Sequence, residues 1–397
     1  MGAASSSDAI PLDAEESDWW SEQKNDGSAK SLNVGQLSER GNVDVPMTRR
    51  KPIVSKTAML LAQQTVEDEI ATLEALEETG DDEDAAVLVD VLAETEPTAV
   101  VAHLREYGHS GAITEACITR GMQLVMMAPA LRTSQIAADF LALLVDALDF
   151  HETNEYVAKW GCTAIADFAS QPEPAQVVVK AGGLAALLQA MKRFPGSVDV
   201  QTAGCRGVCS LCSGVTKAAY STKEAAADSG ALEAAVAALR THEQEATVQV
   251  WGVGVVAVIV ASGKAIEPER LGPCIEAVVR AMDAHPSCEE VYAETAAAVG
   301  NLCHGVSKGS LKIKEHLFAA AAVEALTRGL LTFEGSAEAQ AYGCGALANL
   351  CRGSSGAVKS ASKMGADALA KGAISRFAAH QGVQKKAKAL LANLKGR

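Results

Sequence analysis

Aromatic side chains are scarce in this chain: they form 4% of its 397 residues, although 48% of the residues are hydrophobic. A core of this composition is filled by Ala, Val and Leu, which suits closely packed thin helices. Long apolar runs are absent too, since the longest spans the 12 residues 250–261, and a membrane-spanning helix needs about 20. No secretory signal opens the chain and no Asn-x-Ser/Thr site occurs, so we expect a soluble intracellular protein with ten reduced cysteines.

A nine-residue segment recurs along the chain. Three copies, spaced by 91 residues, read WGCTAIADF from Trp160, WGVGVVAVI from Trp251 and YGCGALANL from Tyr342. Related copies begin at Ala203, Glu294 and Lys386. We call the eighth residue of each copy the marker residue; the six are Asp167, Ser210, Val258, Asn301, Asn349 and Asn393, at intervals of 43, 48, 43, 48 and 44 residues. A period in the forties made of apolar helical segments predicts a helical solenoid.

Helical geometry divides each copy into two faces. At about 100° per residue, the positions five before, one before and two after the marker share one face. They hold small residues such as Cys162, Cys205, Cys209 and Cys212, which predicts a core-facing side. The opposite side, which we call the marker face, contains the marker and the positions four and seven before it. It is polar and aromatic, so we expect it to be exposed. The predicted partner-binding residues lie there: Trp160, Asp167, Arg206, Ser210, Trp251, Asn301, Tyr342, Asn349 and Asn393.

A whole unit, such as residues 179–212, reads as a short helix, a glycine break, a Leu-rich helix, a loop and a long helix. This pattern resembles the armadillo repeat, with its G-x-L-x-x-L and A-x-x-A-L-x-N-L helices, clearly over 129–397 and weakly over 85–128. The resemblance implies an all-α, armadillo-type right-handed helical solenoid. In that family the third helices line a concave groove for an extended peptide, and Asn at the marker position holds the peptide backbone.

The family pattern is only partly present. Asn301, Asn349 and Asn393 match the family's asparagine ladder, whereas Asp167, Ser210 and Val258 depart from it. Nuclear-import adaptors of the family carry Trp four residues before the Asn. The residues at that position here are Thr163, Arg206, Gly254, Ala297, Gly345 and Ala389, so the import-adaptor subtype is not expected.

Composition predicts three segments. Residues 1–57 are expected to form a disordered acidic tail, since 1–45 holds 9 acidic and 3 basic residues and too little apolar surface to offset ordering entropy. Residues 58–128 are expected to supply capping helices and a degenerate first repeat, and 129–397 six armadillo-like repeats. Prolines, Pro273 among them, should fall between helices. The start MGAASS fits N-myristoylation at Gly2 or is a chance Met-Gly start. If Gly2 is acylated, the basic cluster at 49–56 could act as a second, distant membrane signal.

Two motifs that resemble chemical sites fall inside the repeated helices and are better explained by helix packing. Gly252-x-Gly254-x-x-Ala257 matches a dinucleotide fingerprint, but the predicted helix surrounds it and no strand precedes it. The cysteines Cys205, Cys209 and Cys212 recur at core positions, so they are interpreted as packing residues and not as a zinc site. No catalytic constellation is legible. We therefore expect no cofactor, no metal and no enzymatic activity, with a cryptic active site as the rival reading.

The sequence predicts a cytoplasmic adaptor that binds an extended protein segment in a groove, and that lies peripherally on a cytosolic membrane face if Gly2 is acylated. A cytoskeletal or ciliary structural component is the alternative. Charge is polarised: 61–110 holds 14 acidic residues and 1 basic residue, and 301–397 holds 14 basic and 5 acidic. This polarity predicts weak head-to-tail self-association or an acidic partner. Nucleic acid is not expected, because the basic end lacks interleaved aromatics.

Overall fold

Helices account for the regular structure of this chain. A computed structural model describes residues 82–127, 134–170, 172–214, 216–262, 266–304 and 308–395. Within these ranges there are 19 helices and no strand, so the all-α prediction is confirmed. The predicted tail 1–57, with Gly2 and the basic cluster, lies outside the described residues, as does the predicted capping segment up to residue 81.

The chain divides into two compact units between Ala234 and Ala235, inside helix α10. The described helices of the N-terminal unit are α1 Asp82–Ala93, α2 Pro97–Tyr107, α3 Gly111–Met127, α4 Gln135–Phe150, α5 Glu155–Phe168, α6 Pro172–Lys180, α7 Gly183–Arg193, α8 Val198–Leu211, α9 Lys217–Asp228 and the start of α10 Ala231–Thr241. The C-terminal unit continues with α11 Ala246–Val260, α12 Pro268–Ala284, α13 Glu289–Leu302, α14 Lys308–Ala319, α15 Ala322–Thr332, α16 Ala337–Cys351, α17 Ser355–Lys363, α18 Ala366–Arg376 and α19 Gln381–Leu394.

The six marker residues all lie near the ends of helices, which we call the third helices: α5, α8, α11, α13, α16 and α19. In the N-terminal unit α5 packs against α8; in the C-terminal unit α11, α13, α16 and α19 pack side by side in that order. Polar N-caps fix where several of these helices begin. Asn154 accepts hydrogen bonds from the backbone N–H groups of Tyr156 and Val157 at the start of α5, which satisfies donors that a helix start leaves unpaired.

The face predicted to be core is buried. Cys162, Cys205, Cys209 and Cys212 are each at most 1% exposed. The glycines beside them set the packing distance between helices. A Cβ on Gly252 would lie 2.9 Å from Leu239 Cδ2, so α11 and α10 approach more closely than any larger residue permits. The Gly-x-Gly pair of α11 is therefore a helix-packing feature, as its register predicts.

Two of the six units show a single described helix before their third helix: α4, of 16 residues, precedes α5, and α12, of 17 residues, precedes α13. Pro273 lies inside α12. The expectation that every proline falls between helices is wrong here. A proline early in a helix removes one backbone donor and still leaves most of the helix bonded, so the chain runs on from Pro268 to Ala284 without a break.

Candidate ligand-binding face

The three marker asparagines form a row across the C-terminal unit. Each donates a side-chain amide N–H to the third helix before its own. The Nδ2 atoms of Asn301, Asn349 and Asn393 lie 3.2, 3.0 and 2.7 Å from the backbone oxygens of Ala257, Gly300 and Ala348 respectively. Each acceptor immediately precedes a marker residue, so the same bracket is repeated from helix to helix.

These brackets have a structural role of their own. The last carbonyls of a helix have spare acceptor capacity, and each asparagine supplies a donor there. The carbonyls of Ala257 and Ala348 also accept the backbone N–H groups of Ala261 and Arg352, so at these two the amide adds a second hydrogen bond. All three side chains are half-buried. Their Oδ1 atoms and second amide protons make no hydrogen bond to any described residue. Because the bonded N–H fixes the amide plane, the row also presents three oriented acceptors.

An ion pair takes the place of the asparagine row in the N-terminal unit. Arg206 Nη1 of α8 lies 2.5 Å from Asp167 Oδ1 of α5, and its Nη2 lies 3.4 Å from the Thr163 carbonyl oxygen. Arg206 therefore joins two third helices, as the asparagines do. The second carboxylate oxygen of Asp167 is buried and accepts no hydrogen bond. The marker Ser210, four residues after Arg206 in α8, is half-buried.

The aromatic part of the marker face is not exposed as predicted. Trp160 is 2% and Tyr342 is 7% exposed, and only Trp251 is half-buried. Basic side chains cover the rings. Lys159 Nζ lies 5.0 Å from the centre of the Trp160 ring, and Lys386 Nζ, from the next third helix, 4.8 Å from the centre of Tyr342. Helical spacing places a ring on a face, but it does not show whether the adjacent helix covers it.

The asparagine row borders small residues. Four positions before the marker lie Ala297 in α13, Gly345 in α16 and Ala389 in α19; Ala297 is 4% exposed, and the other two are half-buried. The corresponding part of α11 is apolar and buried, since Val258 is 1% exposed. The polar part of this face therefore runs over α13, α16 and α19, and the marker Val258 offers no hydrogen-bonding group there.

A second hydrogen-bonding pattern was not found from the sequence. Nine residues before the marker, Gln201, Gln249, Gln340 and Gln384 each donate through Nε2 to two carbonyls at the end of the preceding second helix; for Gln340 the acceptors are Leu330 and Phe333, at 2.7 and 3.2 Å. The sequence does contain a signal for this pattern, because glutamine recurs nine residues before the marker in four of the six copies. In α13 Tyr292 occupies that position, and its hydroxyl donates to the Leu326 carbonyl at 2.9 Å.

Two lysines at equivalent positions in the 91-residue duplication are fully buried. Lys223 and Lys314 are each 0% exposed. Lys223 Nζ donates to the Gly214 carbonyl at 2.9 Å and lies 4.6 Å from the Tyr220 ring centre, and Lys314 Nζ donates to the Arg352 carbonyl at 2.8 Å. Burial lowers the pKa of Lys223 to about 8. Both ammonium groups lie at the ends of third helices, where the helix dipole favours positive charge.

The cysteines are chemically quiet. All ten are free thiols and nine are buried, the exception being the half-buried Cys288. Burial raises the pKa of Cys162 and Cys205 to about 12, so these sulfurs are not thiolates at neutral pH. Over the described ranges, no group of three or more His, Cys, Asp or Glu side chains is placed to hold a metal ion.

Comparison with known proteins identifies the fold. No protein-family model matches the chain, and no curated protein is significantly similar to it. Among solved structures, an engineered protein is 23% identical, with a TM-score of 0.53 over 65% of this chain and 99% of its own. A designed armadillo repeat protein in complex with the peptide (KR)4 is 21% identical, with a TM-score of 0.51 over 64% and 99%.

A structure from work on the phosphorylation switch that controls the interaction between cadherin and β-catenin is 16% identical, with a TM-score of 0.50 over 79% of this chain and 72% of its own. At these identities the likeness concerns the fold alone. The predicted armadillo-type helical fold is confirmed, and this class of fold includes protein-binding solenoids. None of the described helices combines the length and the apolar character that crossing a bilayer requires.

Proposed function

We propose that the protein is a non-enzymatic adaptor that holds an extended protein segment along the marker face of the C-terminal unit. The observation that carries this proposal is the asparagine row. Asn301, Asn349 and Asn393 each anchor one amide proton on a neighbouring helix, and each has an oriented oxygen and a second proton that make no hydrogen bond to any residue of the described ranges.

An extended peptide suits such a row because its backbone carries N–H and C=O groups that no internal hydrogen bond satisfies. Amides whose orientation is already fixed lose little conformational freedom on binding. Of the small residues beside the row, Ala389 is half-buried, Ala297 is buried, and the Lys386 side chain lies against Gly345, so Lys386 would have to move for a ligand side chain to reach Gly345. The designed armadillo protein of similar fold is in complex with a peptide, which supports the proposal by analogy.

The aromatic residues contribute less than their type suggests. Trp160 and Tyr342 are buried, so they pack inside the protein and are not available to contact a ligand. Trp251 is half-buried and remains the candidate aromatic contact. The N-terminal unit has the charged pair Arg206–Asp167 on its own marker face, and we expect that pair to contact ligand side chains and not the ligand backbone.

Selection of random peptides on the full-length chain tests the proposal. The measurement is the affinity of the enriched sequences for wild type and for the variant Asn301→Ala, Asn349→Ala. We expect binding to weaken by about 5- to 150-fold, since the two lost hydrogen bonds cost about 0.5–1.5 kcal/mol each. Gln340→Ala is the matched control, because it removes a structural hydrogen bond from the same unit and leaves the marker face intact. Equal weakening in both variants, or no enrichment, contradicts the proposal.

Membrane attachment is a separate proposal and rests on the sequence MGAASS alone. Gly2 is acylated in a eukaryotic host, and the protein then lies peripherally on a cytosolic membrane face. One myristoyl chain binds weakly, so partial fractionation with membranes is expected, and Gly2→Ala should abolish it. Intact mass is the direct check: an unmodified or acetylated N-terminus contradicts the proposal. Head-to-tail self-association also stays a prediction, and the experiment below distinguishes it.

A further inference from the structure

The last helix, α19, differs from the other third helices on one face. Eight before, five before, one before and two after the marker, α16 has Ala341, Cys344, Ala348 and Cys351, all at most 7% exposed. Ala341 packs with Ala373 and Val383 of the following repeat. This side of a third helix is therefore the one that buries against the next repeat, and it consists of small apolar residues.

In α19 the same four positions hold Lys385, Lys388, Ala392 and Lys395, and all four are exposed. Their spacing of three, four and three residues places them on one stripe. No carboxylate pairs with any of the three lysines among the described residues. We call this stripe the lysine face. Its composition makes it unsuited to bury against another repeat, because each buried ammonium would lose its hydration.

The surrounding sequence reinforces one sign of charge. Residues 355–395 contain a single acidic residue, Asp367, whose carboxylate lies 3.1 Å from Lys371 Nζ. Lys359 and Lys363 of α17 are also exposed. An exposed helix face needs polar residues to stay soluble, but mixed charges would serve that purpose. A single-sign stripe instead creates a positive potential that attracts an anionic partner.

The chain itself contains a segment of matching chemistry. Residues 8–22 carry six carboxylates and no basic residue, together with Trp19 and Trp20. The acidic helices at the other end of the described chain fit less well. Asp84 there already accepts a hydrogen bond from Ser110 Oγ at 2.6 Å, and Glu94 lies 3.5 Å from His103. We propose that the acidic segment 8–22 docks on the lysine face of α19.

Two consequences follow. A covalently attached segment acts at an effective concentration far above that of a free peptide, so docking within one molecule should not depend on protein concentration. Salt should release it, because the Debye length falls from about 10 Å at 0.1 M to about 3 Å at 1 M ionic strength.

Zero-length carbodiimide crosslinking of the full-length chain tests the contact. We expect amide links between carboxylates of 8–22 and Lys385, Lys388 or Lys395 at low salt, and their loss at 1 M salt. Charge reversal of these three lysines to Glu should remove the links. The matched control reverses Lys192, Lys217 and Lys312, exposed lysines on other helices, and should retain them. Reversing Asp13, Glu15 and Glu16 to Lys together with the lysine face should restore crosslinking.

An equal mixture of isotopically heavy and light chains identifies the partner. Links within one chain support the proposal. Mixed heavy–light links from the lysine face to residues 82–107 overturn it in favour of head-to-tail association. Lysine-dependent binding to vesicles that contain phosphatidylserine, without links to 8–22, overturns it in favour of a lipid surface. Links no more frequent than those of the control lysines leave the lysine face with a solubilising role only, which also overturns it.

Discussion

Lys223 has an unusual environment for a lysine, since none of its surface is exposed. Burial is the larger influence on its pKa and lowers it from 10.5 to about 8, while the nearby Cys212 opposes this effect. A base whose folded pKa lies below its unfolded pKa binds fewer protons in the folded state between those values. Stability from this group therefore rises with pH between about 8 and 10.5, and is lowest below pH 8.

Replacing Lys223 with Met should remove that dependence. One pKa unit corresponds to about 1.4 kcal/mol, so wild type should gain up to about 3 kcal/mol relative to Lys223→Met as pH rises through this window. Urea unfolding at pH 7.5, 8.5 and 9.5 measures the difference. Thiols that titrate in the unfolded state affect both proteins equally and cancel. Parallel stability curves for the two proteins would contradict the assignment of a depressed pKa.

Gly343 tests the close packing that the repeated motif requires. A Cβ at this position would clash with the Tyr292 hydroxyl and approach Leu330 Cδ2 to 2.7 Å. Gly343→Ala should therefore destabilise the protein by about 2 kcal/mol or more, as expected for overpacking. Gly372→Ala is the control, because no atom lies within 4 Å of its Cβ position. It should be neutral or stabilise by up to about 1 kcal/mol through helix propensity.

The glutamine brackets act between helices. Gln340 in α16 is 2% exposed and holds two carbonyls at the end of α15. Gln340→Leu keeps the volume but removes both donors, so we expect a loss of about 1–3 kcal/mol in the free energy of unfolding. Chemical denaturation is the measurement, and Gln381→Leu, an exposed site at the start of α19, is the comparison. If the free energy of unfolding falls no more than in Gln381→Leu, the prediction is contradicted, and water must hydrogen-bond the two carbonyls in place of the glutamine amide.

The spacing of the repeats predicted where the helices lie better than it predicted where they end and what they contact. The 91-residue duplication and the small residues near each marker placed α5, α8, α11, α13, α16 and α19 correctly. Pro273 did not break α12, because the free-energy cost of one lost donor is smaller than the stabilisation gained by burying the apolar face of this 17-residue amphipathic helix. Tyr292 could not be anticipated either, since its role depends on space made by glycines 37 and 51 residues later.

For the candidate site, sequence alone identified which residues share the marker face, and the structure changed what several of them do. The asparagines bracket neighbouring helices, which no pattern within one repeat can show. Trp160 and Tyr342 are covered by lysines, one of them from the next third helix. Burial of this kind depends on how two helices pack together, and the periodicity of a single helix does not predict it.

Thiol reactivity checks the packing of the whole chain. Nine of ten cysteines are buried, and burial raises the pKa of several of them, Cys162, Cys303 and Cys351 included, to about 12. Partial burial and Glu290 also raise the pKa of Cys288. We therefore expect a thiolate-specific colour reagent to modify Cys288 first, because it is the one half-buried thiol, and all ten cysteines in denaturant. Cys288→Ser should abolish the fast phase. Rapid modification of several cysteines in the native protein would show that one or both units open readily.

The Tyr292 contact has a consequence for how this chain can change over generations. Its hydroxyl and ring occupy the space that a side chain at Gly329 or Gly343 would need. While the tyrosine is present, a side chain at Gly329 has no space, and the copy 91 residues earlier has Gln201 and Ala238 at these two positions. Gly343 stays constrained without the tyrosine, because its Cβ position also lies 2.7 Å from Leu330 Cδ2. A substitution at Gly329 therefore requires that Tyr292 be replaced first, so the order of these two changes decides whether the intermediate protein packs.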